Sequence, residues 1–300
     1  MMYRWWIYQK ERFPVFQYGL LVISVCLAAL IFSRAAGGRH GFPPLRYMLT
    51  AIVSTFLFFL QLRILDEFKD FSDDLQYRAY RPVPRGLVHL AELKIVFVAA
   101  AGIQLGLALW LNPRMLLPLI AVWSYMLLMR VEFFAGKHLK KLPVLYLISH
   151  MLIMPLIYFY ITACNWLAAG HSIPKGLPEL LAMGFTNGFV IEIGRKIRPT
   201  KDEEVGVETY SLLWGPIRAS VIWIASMFLA ALFAVMTVQH IHFRYELAYL
   251  IGSLLLAGVM TCCYFYFDQV GGSGKRLEKM AGIWVFVLHL GIAGNLFLRT

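Results

Sequence analysis

Nine apolar stretches divide this chain, at about 14–33, 46–65, 91–110, 114–133, 143–163, 178–195, 217–238, 245–267 and 281–298. Each is near the roughly 20 residues an α-helix needs to cross a hydrocarbon core about 30 Å thick. Backbone in lipid must satisfy its own hydrogen bonds, so only helices and closed barrels span a bilayer. The stretches are continuously apolar rather than alternating, which rules against a barrel. The expectation is an all-α, polytopic membrane protein of about nine transmembrane helices, forming a single domain over 1–300. Composition agrees. The chain is 60% hydrophobic and 15% charged, with a mean hydropathy of +0.66, against about 25% charged for a soluble domain.

The opening MMYRWWIYQKERFP has no short apolar stretch with a small-residue cleavage site, so it does not read as a signal peptide. It reads as an interfacial segment with Trp5, Trp6 and Tyr8 at the headgroups. Cys26, Cys164, Cys262 and Cys263 show no metal or disulfide spacing and read as small core residues.

Charge sets an orientation. If the N-terminus is cytoplasmic, nineteen Lys and Arg fall on its side of the membrane, in segments such as 69–85, 137–141 (with Lys140) and 195–218, against seven on the other. Such an excess marks the inside, and the expected location is a plasma (inner) membrane with a cytoplasmic active site. The net charge of +11 suits an anionic leaflet. The basic residues are scattered over several membrane edges, so no nucleic-acid partner is expected.

The acids break this pattern in two places, both on the cytoplasmic side. One is Asp66, Glu67, Asp70, Asp73 and Asp74, after the second span. The other is Glu192, at the end of the sixth, followed by Asp202, Glu203, Glu204 and Glu208. Together they hold ten of 17 acidic residues. Asp66, Asp70 and Asp74 are spaced i, i+4, i+8, which lines them up on one helix face if the second helix runs past the membrane edge. Like charges so placed repel, and a hard cation reverses the sign. Mg²⁺ is usually held by one or two carboxylates plus substrate phosphates and waters. Lys69, Arg78, Arg81 and Arg85 follow closely and can contact phosphate oxygens directly. The plainer alternative is a solvated juxtamembrane loop of internal ion pairs.

DEFKDFSDD followed by RPVPRG resembles the first aspartate-rich motif of the UbiA superfamily of intramembrane prenyltransferases, N-D-x-x-D-x-x-x-D with a downstream R-P-x-x-x-G. Asp66 stands where that family has Asn, and Glu67 where it has Asp. Asp70, Asp74, Arg81, Pro82 and Gly86 match. The family has nine transmembrane helices, with acidic motifs after the second and sixth, so the resemblance covers the whole chain. It implies Asp66, Asp70, Asp74 and Glu192 as catalytic groups, and Asp66, Glu67, Asp70, Asp74, Glu192 and Asp202 as ligands of Mg²⁺. It also implies Lys69, Arg78, Arg81, Arg85, Arg130, Arg195, Lys196 and Arg198 as contacts of an isoprenyl diphosphate. Asn187 and Tyr210 would line the substrate pocket.

The second motif departs from the family's D-x-x-D-x-x-x-D. Arg195 occupies the position after Glu192, and Asp202 reaches register only across a three-residue insertion, with Glu203 as a neighbouring option. The implied reaction ionises an allylic diphosphate and transfers the prenyl group to an aromatic or lipid acceptor of unknown identity. The altered second motif keeps open the intramolecular alternative, a terpene cyclase. A transporter is a third reading, but it calls for ionisable residues at the bilayer midplane and related halves, which this sequence lacks. His150 reads as an interhelical partner, and His240 with His242 as a poor metal pair.

Overall fold

The structure, a computed structural model, describes residues 2–139, 141–267 and 272–297. Lys140 and the last residue of the ninth expected span lie outside them. All regular structure among the described residues is helical. The chain divides into two compact units, Met1–Cys26 with Pro44–Gly170, and Leu27–Pro43 with His171–Thr300.

In chain order the first unit holds α1 (Met2–Arg12), the start of α2 (Val15–Ala36), α3 (Leu45–Lys69), α4 (Phe71–Tyr77), α5 (Leu90–Leu111), α6 (Leu116–Arg130), the single turn α7 (Gly136–Leu139), α8 (Pro143–Met151) and α9 (Ile153–Ala163). The rest of α2 belongs to the second unit, with α10 (Leu177–Gly194), the short α11 (Tyr210–Trp214), α12 (Pro216–Gln239), α13 (Tyr245–Phe267) and α14 (Gly274–Phe297).

Every expected span is helical. Seven are long and apolar enough to cross a membrane, with α8 and α9 counted together. The other two are α6, at 15 residues, and α10, at 18 residues with Glu179, Asn187 and Glu192 in it. The fifth span is broken at Leu152 between α8 and α9. Pro155 has no N–H to give the Met151 carbonyl and its ring crowds that oxygen, which interrupts the ladder there.

In the first unit α3 packs against α5, α6 and α9. A polar thread ties these four helices. Gln104 Nε2 donates to the Ser54 carbonyl at 3.0 Å, Trp123 Nε1 donates to Gln104 Oε1 at 2.9 Å, and Tyr160 Oη donates to Ser54 Oγ at 3.0 Å. Lipid tails give helices no hydrophobic reason to associate, so packing and such bonds hold the bundle, at about 0.6 kcal/mol each.

In the second unit α12 packs on α10 and α13, and α14 on α10 and α13. Gly194 permits the close approach to α12: a Cβ there would sit 2.8 Å from Trp223 Nε1 and 2.9 Å from Ala281 Cβ. Trp223 Nε1 donates to the Val190 carbonyl at 2.8 Å, and Trp284 Nε1 to Asn187 Oδ1 at 3.0 Å.

The N-terminal segment is a helix with two faces. Tyr8 is buried with Ile64, Val83, Val88 and Leu93, and Trp5 packs partly against them. Tyr3, Trp6 and Lys10 are exposed. Of the three aromatics expected at the headgroups, Trp6 is exposed, Trp5 half-buried and Tyr8 buried against the protein. The helical period puts Tyr8 on the face turned to the protein and leaves Tyr3, Trp6 and Lys10 on the outer one.

Candidate active site

The first acidic stretch sits where α3 ends and α4 begins. The helix runs past its apolar part to Lys69, bends at Asp70, and resumes as α4. The four-residue spacing survives the bend. Asp70 N–H donates to the Asp66 carbonyl at 2.9 Å, Asp74 N–H to that of Asp70 at 2.8 Å, and Arg78 N–H to that of Asp74 at 2.9 Å. The following RPVPRG winds through tight turns and closes at Gly86, whose φ of 76° is one that side-chain-bearing residues avoid.

The side chains divide the acids by role. Glu67 is buried and its carboxylate is taken by Arg12 of α1. Asp74 is also buried, and two guanidiniums close on it: Arg81 Nη1 lies 3.0 and 2.8 Å from its two oxygens, and Arg78 Nε lies 2.7 Å from Oδ1. Asp66 is half-exposed, with Arg63 at 3.6 Å. Asp70 is half-buried, and among the described residues no hydrogen bond or ion pair engages its carboxylate. Burial pushes the Asp70 carboxyl above the ordinary carboxylate range; Lys69 pulls it down, and Asp66 and Asp74 push it further up. A cation placed there would relieve all three raising effects.

The cations are placed as follows. Lys69 Nζ donates to Tyr146 Oη at 2.9 Å and lies 5.5 Å from that ring's centre. Tyr146 stacks on His150, centroids 3.9 Å apart. Arg130 lies over Phe68 at 5.5 Å. Arg85 donates to Glu11 Oε1 of α1 and to the Tyr80 carbonyl, both at 2.9 Å. Asp66, Lys69, Arg130 and His150 line one narrow cleft of about 10 Å³ together with Leu62, Leu65, Met126 and Met129. A charged rim thus meets an apolar wall. Just after Arg130, Glu132, Phe133 and Phe134 all take left-handed φ, between 48° and 58°, a conformation that costs roughly 1–2 kcal/mol per residue.

In the second unit four of the five acids in the stretch 192–208 lie close to protein donors. Glu192, at the end of α10, accepts from Arg195 Nε at 2.7 Å and pairs with Lys196 Nζ at 2.9 Å. Asp202 Oδ2 accepts the Gly272 N–H at 2.6 Å. Glu203 accepts from Thr209 Oγ1 at 2.7 Å and Ser211 Oγ at 2.8 Å. Arg198 pairs with Glu204 at 3.2 Å. Tyr210 is buried, stacked on Trp214 at 4.5 Å, with Lys196 over its ring at 5.6 Å. Asn187 is buried; its Oδ1 accepts from Trp284 Nε1, and its Nδ2 has no partner among the described residues.

Among the described residues no three His, Cys, Asp or Glu side chains converge as a ready-made metal cage. Asp66 and Asp70 fit Mg²⁺ as an oxygen-only pair, the number it commonly takes from a protein when phosphates and waters complete its shell. The sequence reading missed Glu11, Arg12 and Tyr146. Tyr146 lies four residues before His150, one helical turn away, and that spacing was the available signal.

Comparison with solved structures places the fold. A UbiA homologue from Aeropyrum pernix K1 in its apo state aligns over 91% of this chain and 96% of its own, with a TM-score of 0.69 at 15% identity. A digeranylgeranylglyceryl phosphate synthase aligns over 94% and 98%, with a TM-score of 0.57 at 14% identity. A UbiA homologue from Archaeoglobus fulgidus bound to DMAPP and Mg²⁺ aligns over 92% and 99%, with a TM-score of 0.54 at 14% identity. No curated protein sequence matches the chain. At these identities the structures speak for the fold, and membership rests on the family's sequence profile. That profile matches residues 22–286, nearly the whole bundle, and by it the chain belongs to the UbiA prenyltransferase family.

Proposed function

We propose that the chain is a Mg²⁺-dependent intramembrane enzyme that ionises an allylic isoprenyl diphosphate and passes the prenyl group to an aromatic or lipid acceptor. One observation carries this reading. Asp66 and Asp70 stand on successive turns, Asp70 without a partner among the described residues, beside a cleft that carries Lys69 and Arg130 at its rim and apolar side chains on its wall. An isoprenyl diphosphate has the same two-part character. The likeness to a homologue bound to DMAPP and Mg²⁺ supports it.

Mg²⁺ bound at Asp66 and Asp70 would supply electrostatic stabilisation of the leaving diphosphate. The chain's own groups do the rest. Lys69, held by Tyr146 Oη, presents its remaining N–H donors to phosphate oxygens. Arg130 offers a second fixed charge at the rim. Charges aimed at a group that gains negative charge as the C–O bond breaks act more on the transition state than on the ground state. Leu62, Leu65, Met126 and Met129 are the apolar side chains that line the cleft with these charges, and they would face the first isoprene units. Aromatic faces nearby, Phe68 and Tyr146, suit a cation. The positive-inside asymmetry supports a plasma-membrane protein with this segment at the cytoplasmic edge.

The test uses purified protein in detergent with Mg²⁺ and geranyl, farnesyl or geranylgeranyl diphosphate, with and without aromatic and lipid-hydroxyl acceptors, read by mass spectrometry. Prenylated acceptor that depends on Mg²⁺ and on Asp70 supports the transferase. A cyclic hydrocarbon or alcohol formed without acceptor would replace it with the cyclase. No turnover of any diphosphate by folded protein would sink both.

A further inference from the structure

The two acidic stretches look alike in sequence, five acids each, but differ in what their carboxylates face. In the first, the half-buried Asp70 has no ion pair among the described residues and its neighbour Asp66 has a distant guanidinium at 3.6 Å. In the second, four of five acids are engaged by the protein itself, each within 3.2 Å of a donor.

Consider each as a Mg²⁺ ligand. A divalent ion on Glu192 would sit beside Arg195 and Lys196, both already within 2.9 Å of its oxygens. A divalent ion would repel each of these cations twice as strongly as a single charge does. Asp202 Oδ2 is taken by the Gly272 N–H, which leaves only Oδ1 for a metal. Both oxygens of Glu203 already accept from Thr209 or Ser211, the two hydroxyls that fasten the loop before α11. Glu204 is paired with Arg198. That leaves one oxygen of Asp202 and the carboxylate of Glu208, which is exposed in the loop.

We propose that the chain binds one divalent cation, at the first acidic stretch, and that the stretch 192–208 is metal-free. In this assignment Glu192, Asp202 and Glu203 fasten the α10–α11 segment. Arg195 and Lys196, two cations to one carboxylate, present the fixed positive charge at the end of α10. The inference rests on the reading that Asp66 and Asp70 hold Mg²⁺ against a diphosphate, and it deepens that reading to a stoichiometry.

The experiment counts metal without turnover. Mn²⁺ stands in for Mg²⁺, and inorganic pyrophosphate for the substrate head. The full chain in detergent is dialysed to equilibrium against Mn²⁺, with and without pyrophosphate, and bound Mn²⁺ is read by electron paramagnetic resonance. The expected count is one per chain. Asp70→Asn weakens that site at least about tenfold, whereas Glu192→Gln and Asp202→Asn shift its affinity by less than about threefold. Two ions per chain would overturn the inference, as would one ion lost in Glu192→Gln or Asp202→Asn. If either of these variants fails to fold, the wild-type count decides alone. No bound Mn²⁺ under any condition would overturn the metal reading itself, an outcome distinct from a count of two.

Discussion

The guanidinium of Arg12, at the end of α1, meets the carboxylate of Glu67, one residue past the first acid of the candidate metal pair. Glu67 is 1% exposed and Arg12 10%, so the pair is nearly dry. Removing one partner of such a pair strands the other's charge and typically costs about 3–5 kcal/mol, while replacing both by apolar groups is often neutral. Arg12→Met is therefore expected to lower the thermal midpoint of detergent-solubilised protein sharply, and Arg12→Met with Glu67→Met to recover most of it. If the single variant melts like wild type, Glu67 is not held by α1, and its assignment away from the metal fails.

Asp70 and Asp74 are one turn apart and should respond in opposite ways. Asp70 has no partner to lose, so Asp70→Asn keeps its shape and removes a like charge from beside Asp66. The expected result is unchanged or slightly raised thermal stability with diphosphate turnover down by about 100-fold or more, the scale of losing one strong electrostatic contact in a transition state. Asp74→Asn frees Arg78 and Arg81 from a buried carboxylate and should unfold the α4 segment at lower temperature. Parallel melting curves and turnover assays on the two variants separate these outcomes; equal destabilisation would contradict the division of labour.

How much of this was legible beforehand follows from which interactions are local. The spans at 46–65 and 217–238 are fixed by length and hydropathy, and the helices α3 and α12 cover them. The four-residue spacing of Asp66, Asp70 and Asp74 is likewise local, and the backbone bonds keep it. What the spacing does not encode is the partner each carboxylate meets. Arg12 is 55 residues from Glu67, and Gly272 is 70 from Asp202. Of three acids of identical type in one row, Asp66 and Asp70 form the candidate metal pair, whereas Asp74 is closed by two guanidiniums. The break at Leu152 was readable from Pro155, whereas the left-handed run Glu132–Phe134 carries no glycine to announce it.

Lys69 and Tyr146 come from α3 and α8 and meet at 2.9 Å. The phenol fixes where the ammonium points, and the ring below adds a cation–π contact. Tyr146→Phe keeps the ring, its stacking on His150 and the cation–π term, and removes only the hydrogen bond. One such bond to a charged group contributes about 1.5–3 kcal/mol, part of which returns as hydration at a half-exposed site. The expected result is a rise in KM for the diphosphate of about three- to tenfold with little change in the melting midpoint. An unchanged KM would show that Lys69 reaches the diphosphate without this support.

Thr209 caps α11: its Oγ1 accepts from the Leu212 N–H at 3.2 Å while donating to Glu203 at 2.7 Å. Thr209→Ala loses both at once. The cap alone is worth about 1 kcal/mol, and Glu203 is left with Ser211 as its remaining hydroxyl donor. Thr209→Ser keeps both bonds and gives up one methyl group. The expected order of melting midpoints is wild type, then Thr209→Ser close behind, then Thr209→Ala clearly lower. The Mn²⁺ count stays at one in all three, because Thr209 acts through Glu203 on the loop and not on a metal. A Thr209→Ala protein that binds a second Mn²⁺ would mean that the released Glu203 carboxylate is a metal ligand after all.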